Sequence, residues 1–379
     1  MPRSLYLHVP FCPSICPYCD FHKMLRHEGL VASYLDRLDR EIAELAERYP
    51  GPLDTVYLGG GTPSHLSDAE LKRVFSALEG AWGGVGTLET TMEADPLTFD
   101  SARVESFAEL GITRLSLGLQ STQDDVLAFL GRLHNGEQGL EAVSTAVASG
   151  LRVNVDVMTA INGQDLELDL RRVVDLGVEH VSVYSLTIEP NTPFALRGVK
   201  VDEELDADTF ELATEVLAGL GLERYEVSNH AARGQESLHN LTYWRGNHYL
   251  GVGPGASSYL PAAAASGELG VRLKNQPLKG WLLGAPAEEA HLGADDIVFE
   301  RLLTGLRTRE GVDLDALESV SGIALAAVAQ RWLTDTTGHG LLELDGDNVL
   351  RTTAAGLSRL DAVLRAFVAT RELSRDPKQ

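Results

Sequence analysis

Between Ser4 and Leu186 the chain alternates short apolar runs with amphipathic stretches six times, a rhythm that limits the fold more than any other feature. The apolar runs are 4–9, 55–58, 88–94, 114–119, 152–158 and 180–186. In the first interval Leu30, Val31, Tyr34, Leu35, Leu38, Ile42 and Leu45 recur at the spacing of one helical face. The second interval opens on Ser67 and Glu70, a capping box. Helical patterns over 101–110, 124–130, 139–149 and 166–176 complete the series. Strand–helix alternation implies parallel strands joined by right-handed crossovers. Six units fall short of the eight of a closed barrel. The expectation is an α/β chain built on an open, partial (β/α)6 barrel spanning 1–228.

Beyond that the pattern changes. Residues 229–259 are rich in Gly, His and aromatic residues, and 261–294, rich in Ala, Gly and Pro, reads as a connection, so 229–294 is taken as one segment. Helical patterns over 295–307, 314–320 and 324–334 precede a hairpin signal, Asp345-Gly346-Asp347-Asn348, between two short apolar runs. A last helix is expected over 353–369. Region 295–370 is thus a mostly helical, winged-helix-like domain, and 371–379 a polar tail. It carries no excess of Lys or Arg, which points to packing or a lid rather than DNA.

All three cysteines of the chain, Cys12, Cys16 and Cys19, lie within eight residues directly after the first strand. An odd, clustered count does not make a disulfide framework. Structural zinc wants four ligands, and His22 is the only near candidate for the fourth. A [4Fe–4S] cluster held by three thiolates keeps one iron open, which the amine and carboxylate of S-adenosylmethionine can occupy. An electron entering the sulfonium would then break the C–S bond. Pro13 and Pro17 stiffen the loop. Cluster, zinc and redox thiols all stand at this point, the cluster first.

The C-x3-C-x2-C spacing after a short strand resembles the radical S-adenosylmethionine superfamily. The longer string, LYLHVPFC followed by CPYCDF, resembles the branch that contains oxygen-independent coproporphyrinogen III oxidases and the HemW-type heme chaperones. The resemblance covers nearly the whole chain and implies the same partial barrel. Gly59-Gly60-Gly61-Thr62-Pro63 matches the family's GGGTP segment beside the methionyl amine. The resemblance implies cofactor contacts at Tyr6, Tyr18, Gly61, Thr62, Glu93, Gln120, Arg132 and Asp156. Physically, a carboxylate can accept ribose hydroxyls and an arginine can pair with a carboxylate. His239-Asn240-Leu241-Thr242-Tyr243-Trp244 matches the HNxxYW motif of the chaperones, so His239, Asn240, Tyr243 and Trp244 are expected to handle heme; His8, His22, His230 and His248 are further imidazole candidates.

One departure separates the branches. The oxidases resemble C-x3-C-x2-C-x-C, and here the fourth position is Phe21. They also carry a longer N-terminal extension. The resemblance therefore favours a heme chaperone that delivers heme to acceptors such as respiratory cytochromes, without coproporphyrinogen oxidase activity being expected. The alternatives are that oxidase reaction and a radical reaction on another substrate.

A net charge of −23 from 32 basic and 55 acidic residues argues against nucleic acid as a partner and against electrostatic membrane binding. No apolar run approaches the roughly 18 residues of a membrane span, and 1–11 does not read as a signal peptide. A cytoplasmic location follows, with peripheral membrane contact and membrane-associated acceptors left open; the chain is expected as a monomer or weak homodimer.

Overall fold

A computed structural model describes residues 1–263 and 267–375. Six parallel strands stand side by side in chain order: β1 (Ser4–Val9), β2 (Thr55–Gly60), β3 (Glu89–Ala94), β4 (Arg114–Gln120), β5 (Arg152–Thr159) and β6 (His180–Ser185). The helices between them cover one face of the sheet. Helix α1 (Glu28–Arg48) buries Val31, Tyr34, Leu35, Leu38 and Ile42, as its periodicity requires, and α2 (Asp68–Trp82) starts on the Ser67–Glu70 capping box.

Side chains alternate across each strand. Leu5 and Leu7 of β1, Val56 and Leu58 of β2, Leu115 and Leu117 of β4, and Val155 and Val157 of β5 join one apolar core under the helices. The opposite positions are polar: Tyr57, Thr91, Glu93, Ser116, Gln120, Asn154, Asp156 and Ser182 line a shared cavity. A closed barrel fills its interior with branched aliphatic side chains. This one is hollow and polar, which suits a ligand.

Three short strands widen the sheet. Leu250–Val252 adds in parallel beside β1; Asn229–Ala231 pairs antiparallel with β6 and with Glu223–Arg224. The nine-stranded sheet stays open, its two edge strands not paired with each other.

Segment 261–294 is not a bare connection. Ser257–Leu260, just before it, forms an antiparallel sheet with Gly270–Lys274 and Glu288–Leu292, and helix Leu278–Leu282 lies between the last two strands. Its Gly and Ala content hid the strands, yet Gly270 is where the Tyr259 ring needs room, a Cβ there falling 2.6 Å from the ring. Residues 264–266 of this expected connection lie outside the described residues. Buried Trp281 donates from Nε1 to Glu41 Oε2 (3.0 Å), tying the segment to α1.

The C-terminal region has the expected winged-helix character. Helices Ala294–Gly305, Leu314–Ser321 and Leu325–Gly338 pack with a hairpin, Leu342–Leu344 against Val349–Thr352, and Val312–Asp313 as third strand. Val298, Leu302, Trp332, Leu350 and Phe367 form a second core. The last helix is split into Ala354–Leu357 and Leu360–Arg375, so the backbone is helical through 371–375; the remainder of the expected tail, 376–379, lies outside the described residues. Among the described residues no helix is long and apolar enough to cross a membrane.

Candidate functional site

The cysteine loop leaves the C-terminal end of β1 and is pinned at both ends. Phe11–Cys12 pairs in parallel with Met24–Leu25, and Met24 N donates to Pro10 O (2.7 Å). The His8 ring spans the space beneath, Nδ1 bonded to Tyr6 Oη (2.9 Å) and Nε2 to His22 O (2.7 Å). The glycine run is shaped to this loop. Gly60 has φ +112°, and a Cβ there would fall 2.3 Å from the His8 ring. A Cβ on Gly61 would meet the Phe11 backbone at 2.9 Å. Gly61 N and Thr62 N donate to Val9 O (2.7 Å) and Phe11 O (2.8 Å).

The three cysteines, Tyr18, Gly61, Thr62, Glu93, Gln120, Arg132, Asp156 and Asn240 all line one cavity of about 460 Å³. Tyr6 stands behind it, stacked on Tyr57 with ring centroids 6.1 Å apart. Burial pushes the Cys12 thiol up to about 11, partly offset by a hydrogen bond with Thr62. Cations sit near the other two: Arg132 Nη1 donates to Cys16 Sγ (3.4 Å), and Lys23 Nζ to Cys19 O (2.5 Å). No three Cys, His, Asp or Glu side chains among the described residues are grouped to hold a single metal ion.

Glu93 and Asp156 are two of the carboxyls that face the cavity. Glu93 accepts from Tyr57 Oη (2.9 Å) and Gly60 N (2.8 Å), and Asp156 from Asn154 Nδ2 (2.9 Å). Burial raises Glu93 to about 7 and Asp156 to about 6. Arg132 Nη2 is engaged by Asp95 Oδ2 and Gly118 O, both at 2.7 Å. Gln120 ends β4 past a register shift and has φ +72°, a strained backbone for a residue with a Cβ. Three buried polar atoms of lining residues, Thr91 Oγ1, Arg114 Nη1 and Arg132 Nε, have no hydrogen-bond partner, so the walls retain capacity for a polar ligand.

The His239–Trp244 string lies at the other end of the barrel, on helix Leu238–Trp244. His239 is fully buried, Nδ1 bonded to Thr55 Oγ1 (2.8 Å) and Nε2 to Tyr243 Oη (2.7 Å). Its amide N donates to Glu89 Oε1 (3.0 Å), and Thr242 Oγ1 meets Ser4 Oγ at 3.0 Å. Ser4, Thr55 and Glu89 are the first residues of β1, β2 and β3, so this helix closes the barrel floor. Burial lowers His239 to about 3. Tyr243 packs edge-on to Tyr249, and Trp244 is half-buried and lines no part of the cavity. Only Asn240 of the four motif residues reaches the cavity. Of the other histidines, His230 is buried and His248 half-buried.

The Radical SAM superfamily pattern matches residues 6–191, and the HemN C-terminal domain pattern matches residues 292–358. "Heme chaperone HemW" of Haemophilus influenzae is 35% identical over 339 residues, covering 86% of this chain and 88% of that protein. The HemW protein of Mycobacterium tuberculosis is 34% identical over 383 residues, covering 97% and 95%. The chain belongs to the HemW family. Coproporphyrinogen III oxidase (HemN) from Escherichia coli, a radical SAM enzyme, has the same fold: TM-score 0.80 and 21% identity, covering 97% of this chain and 90% of that one.

Sequence reasoning passed over several residues that shape this HemW-family cavity. Tyr57 holds Glu93, Asp95 holds Arg132, and Asn154 holds Asp156. The buried Arg114–Glu89 pair (3.0 Å) lies below them. The signal was present as polar residues at every second position: Thr91 and Glu93, Ser116 and Gln120, Asn154 and Asp156.

Proposed function

We propose that the chain is a heme chaperone that holds a [4Fe–4S] cluster and S-adenosylmethionine in the barrel mouth, binds heme and passes it to acceptors such as respiratory cytochromes. The observation that carries the reading is the pairing of three cysteines with Phe21 where the oxidases have a fourth, at the mouth of a hollow polar barrel. Cys12, Cys16 and Cys19 would hold the cluster, whose thiolate donor set fits. Together with S-adenosylmethionine it would supply one-electron reductive chemistry at the sulfonium. Tyr18, Gly61, Thr62, Glu93, Gln120 and Asp156 surround the space for that cofactor; the two carboxyls suit its cationic and hydroxyl groups, and the partnerless Thr91 hydroxyl supports a polar guest. Arg132 steadies Cys16 while Asp95 keeps it in place. Tyr6 acts from behind through His8. His239 and Tyr243 hold the floor, and Asn240 touches the contents from below. The chain works in the cytoplasm, as a monomer or weak homodimer, with heme acceptors at the membrane among its partners.

The test is anaerobic reconstitution followed by hemin titration and incubation with an apo-cytochrome. A shifted Soret band and heme transfer are expected. An intact cluster with neither would overturn the reading. The likeness to the oxidase fold supports a second reading, oxidative decarboxylation of coproporphyrinogen III; protoporphyrinogen formed anaerobically with reductant would establish it.

A further inference from the structure

The cavity is a poor home for heme. Its volume of about 460 Å³ lies in the lower half of the roughly 300–1,000 Å³ of small-molecule pockets. Glu93, Asp156, Lys23, Arg114 and Arg132 give its wall groups of both signs, and the cluster and S-adenosylmethionine of the proposed function would already take that space. An apolar surface of the opposite character lies just outside. Leu196 is 82% exposed, Leu133 59%, Ile15 46% and Phe129 42%. They belong to segments that meet at Pro17 of the cysteine loop. The Phe129 ring lies 4.9 Å from that of Phe194, tilted by 35°; the Phe194 amide donates to Pro17 O (3.0 Å), and Leu196 lies two residues further on. Gly131, two residues before Leu133, abuts Pro17, a Cβ there falling 2.7 Å from the proline ring. Ile15 precedes Cys16, the thiol that Arg132 contacts. Beneath lies a small separate core of Val126, Leu130, Met158, Ile161, Leu186 and Phe194, so the patch rests on firm ground.

Charge says what covers it. In a chain with a net charge of −23, exposed Arg197 follows Leu196 and exposed Lys200 lies four residues beyond it, and neither side chain has a hydrogen bond or ion pair among the described residues. Exposed apolar side chains edged by two unpaired cations match a macrocycle with an apolar ring and two carboxylates.

We infer that heme docks on the outer rim of the cysteine loop, its ring on Phe129, Leu133 and Leu196 and its propionates toward Arg197 and Lys200, rather than inside the barrel. This rests on the heme-chaperone reading and gives it a location.

The experiment titrates hemin into the reconstituted full chain and three variants, with iron content and circular dichroism as controls for folding. Leu133→Asp/Leu196→Asp is expected to weaken hemin at least about tenfold, the scale of one buried leucine. Arg197→Glu/Lys200→Glu is expected to weaken hemin several-fold but leave hemin dimethyl ester unchanged. Leu344→Asp, on the exposed C-terminal hairpin, is expected to bind as the parent does. If the parent chain binds no heme, the chaperone reading itself falls. If the parent binds and both rim variants bind equally well, only the location is overturned. If the rim variants keep hemin but lose transfer to apo-cytochrome or flotation with anionic vesicles, the patch receives a protein or a membrane, and the location is likewise overturned.

Discussion

Replacing Arg114 by Met should loosen the barrel floor more than any change at the surface. Arg114 Nε donates to Glu89 Oε2 at 3.0 Å, and both side chains are 1% exposed. Arg114 Nη2 also donates to Gln235 O (3.0 Å) and Glu236 O (3.2 Å). Glu89 Oε1 accepts from Ser237 Oγ (3.3 Å) and His239 N (3.0 Å). The pair thus fastens helix Leu238–Trp244 to β3 and β4. Removing one partner leaves a buried charge uncompensated, which costs about 3–5 kcal/mol. Removing both charges, as Glu89→Gln/Arg114→Met, leaves none, so the double variant should lose less than Arg114→Met alone. Urea unfolding gives the stability difference, and hydrogen exchange at the amides of 238–244 shows where it falls. A loss below about 1 kcal/mol, or a double variant no better than the single, would refute the argument that this pair anchors the floor.

His239→Phe should cost about 2–4 kcal/mol, because it strands the Thr55 hydroxyl and the Tyr243 phenol in the interior, yet leave the hemin titration unchanged if the ring is structural; a lost Soret shift in a folded variant would make it a ligand. Gln120→Val should destabilise by about 1–2 kcal/mol, since a β-branched residue resists the left-handed backbone, whereas Gln120→Gly should not, and both should weaken S-adenosylmethionine binding. Burial holds Glu93 and Asp156 protonated up to about 7 and about 6. Their folded values lie above the unfolded ones, so their contribution is full below the ordinary carboxylate range and is lost as pH rises through 6 to 7. The melting temperature of Glu93→Gln should therefore overtake the parent chain's between pH 5 and 8; parallel profiles would contradict the burial argument. Cys16→Ala should reduce cluster iron to background and abolish S-adenosylmethionine binding, read by iron analysis and equilibrium dialysis.

The barrel was legible because its signals are local: Leu35, Leu38 and Ile42 mark a helical face, and Ser67 with Glu70 marks a helix start. The cysteine loop was legible for the same reason. The floor was not, since Glu89 and His239 meet across 150 residues of chain. His239 to Trp244 looks like a grip on a macrocycle when read as a string; the fold spends the imidazole on Thr55 and Tyr243. The polar partners Tyr57, Asn154 and Asp95 needed only the period-two rule, but which face of each strand is concave depends on how the sheet curves. The strands of 257–292 were masked by Gly and Ala, whose role emerges only beside Tyr259 and Trp281.

The strand Leu250–Val252 beside β1 has a consequence for the order of events in synthesis. The cysteines emerge from the ribosome first, at residues 12 to 19. Yet His8 is packed by Gly253, and Gly253 N is held by Glu41 Oε2 (2.8 Å). At about 5–20 residues per second, the loop waits roughly 10–50 s for that support. If these thiols hold the proposed cluster, its loading would then follow translation of two thirds of the chain, because a nascent fragment ending before residue 250 has the thiols without the packing behind His8.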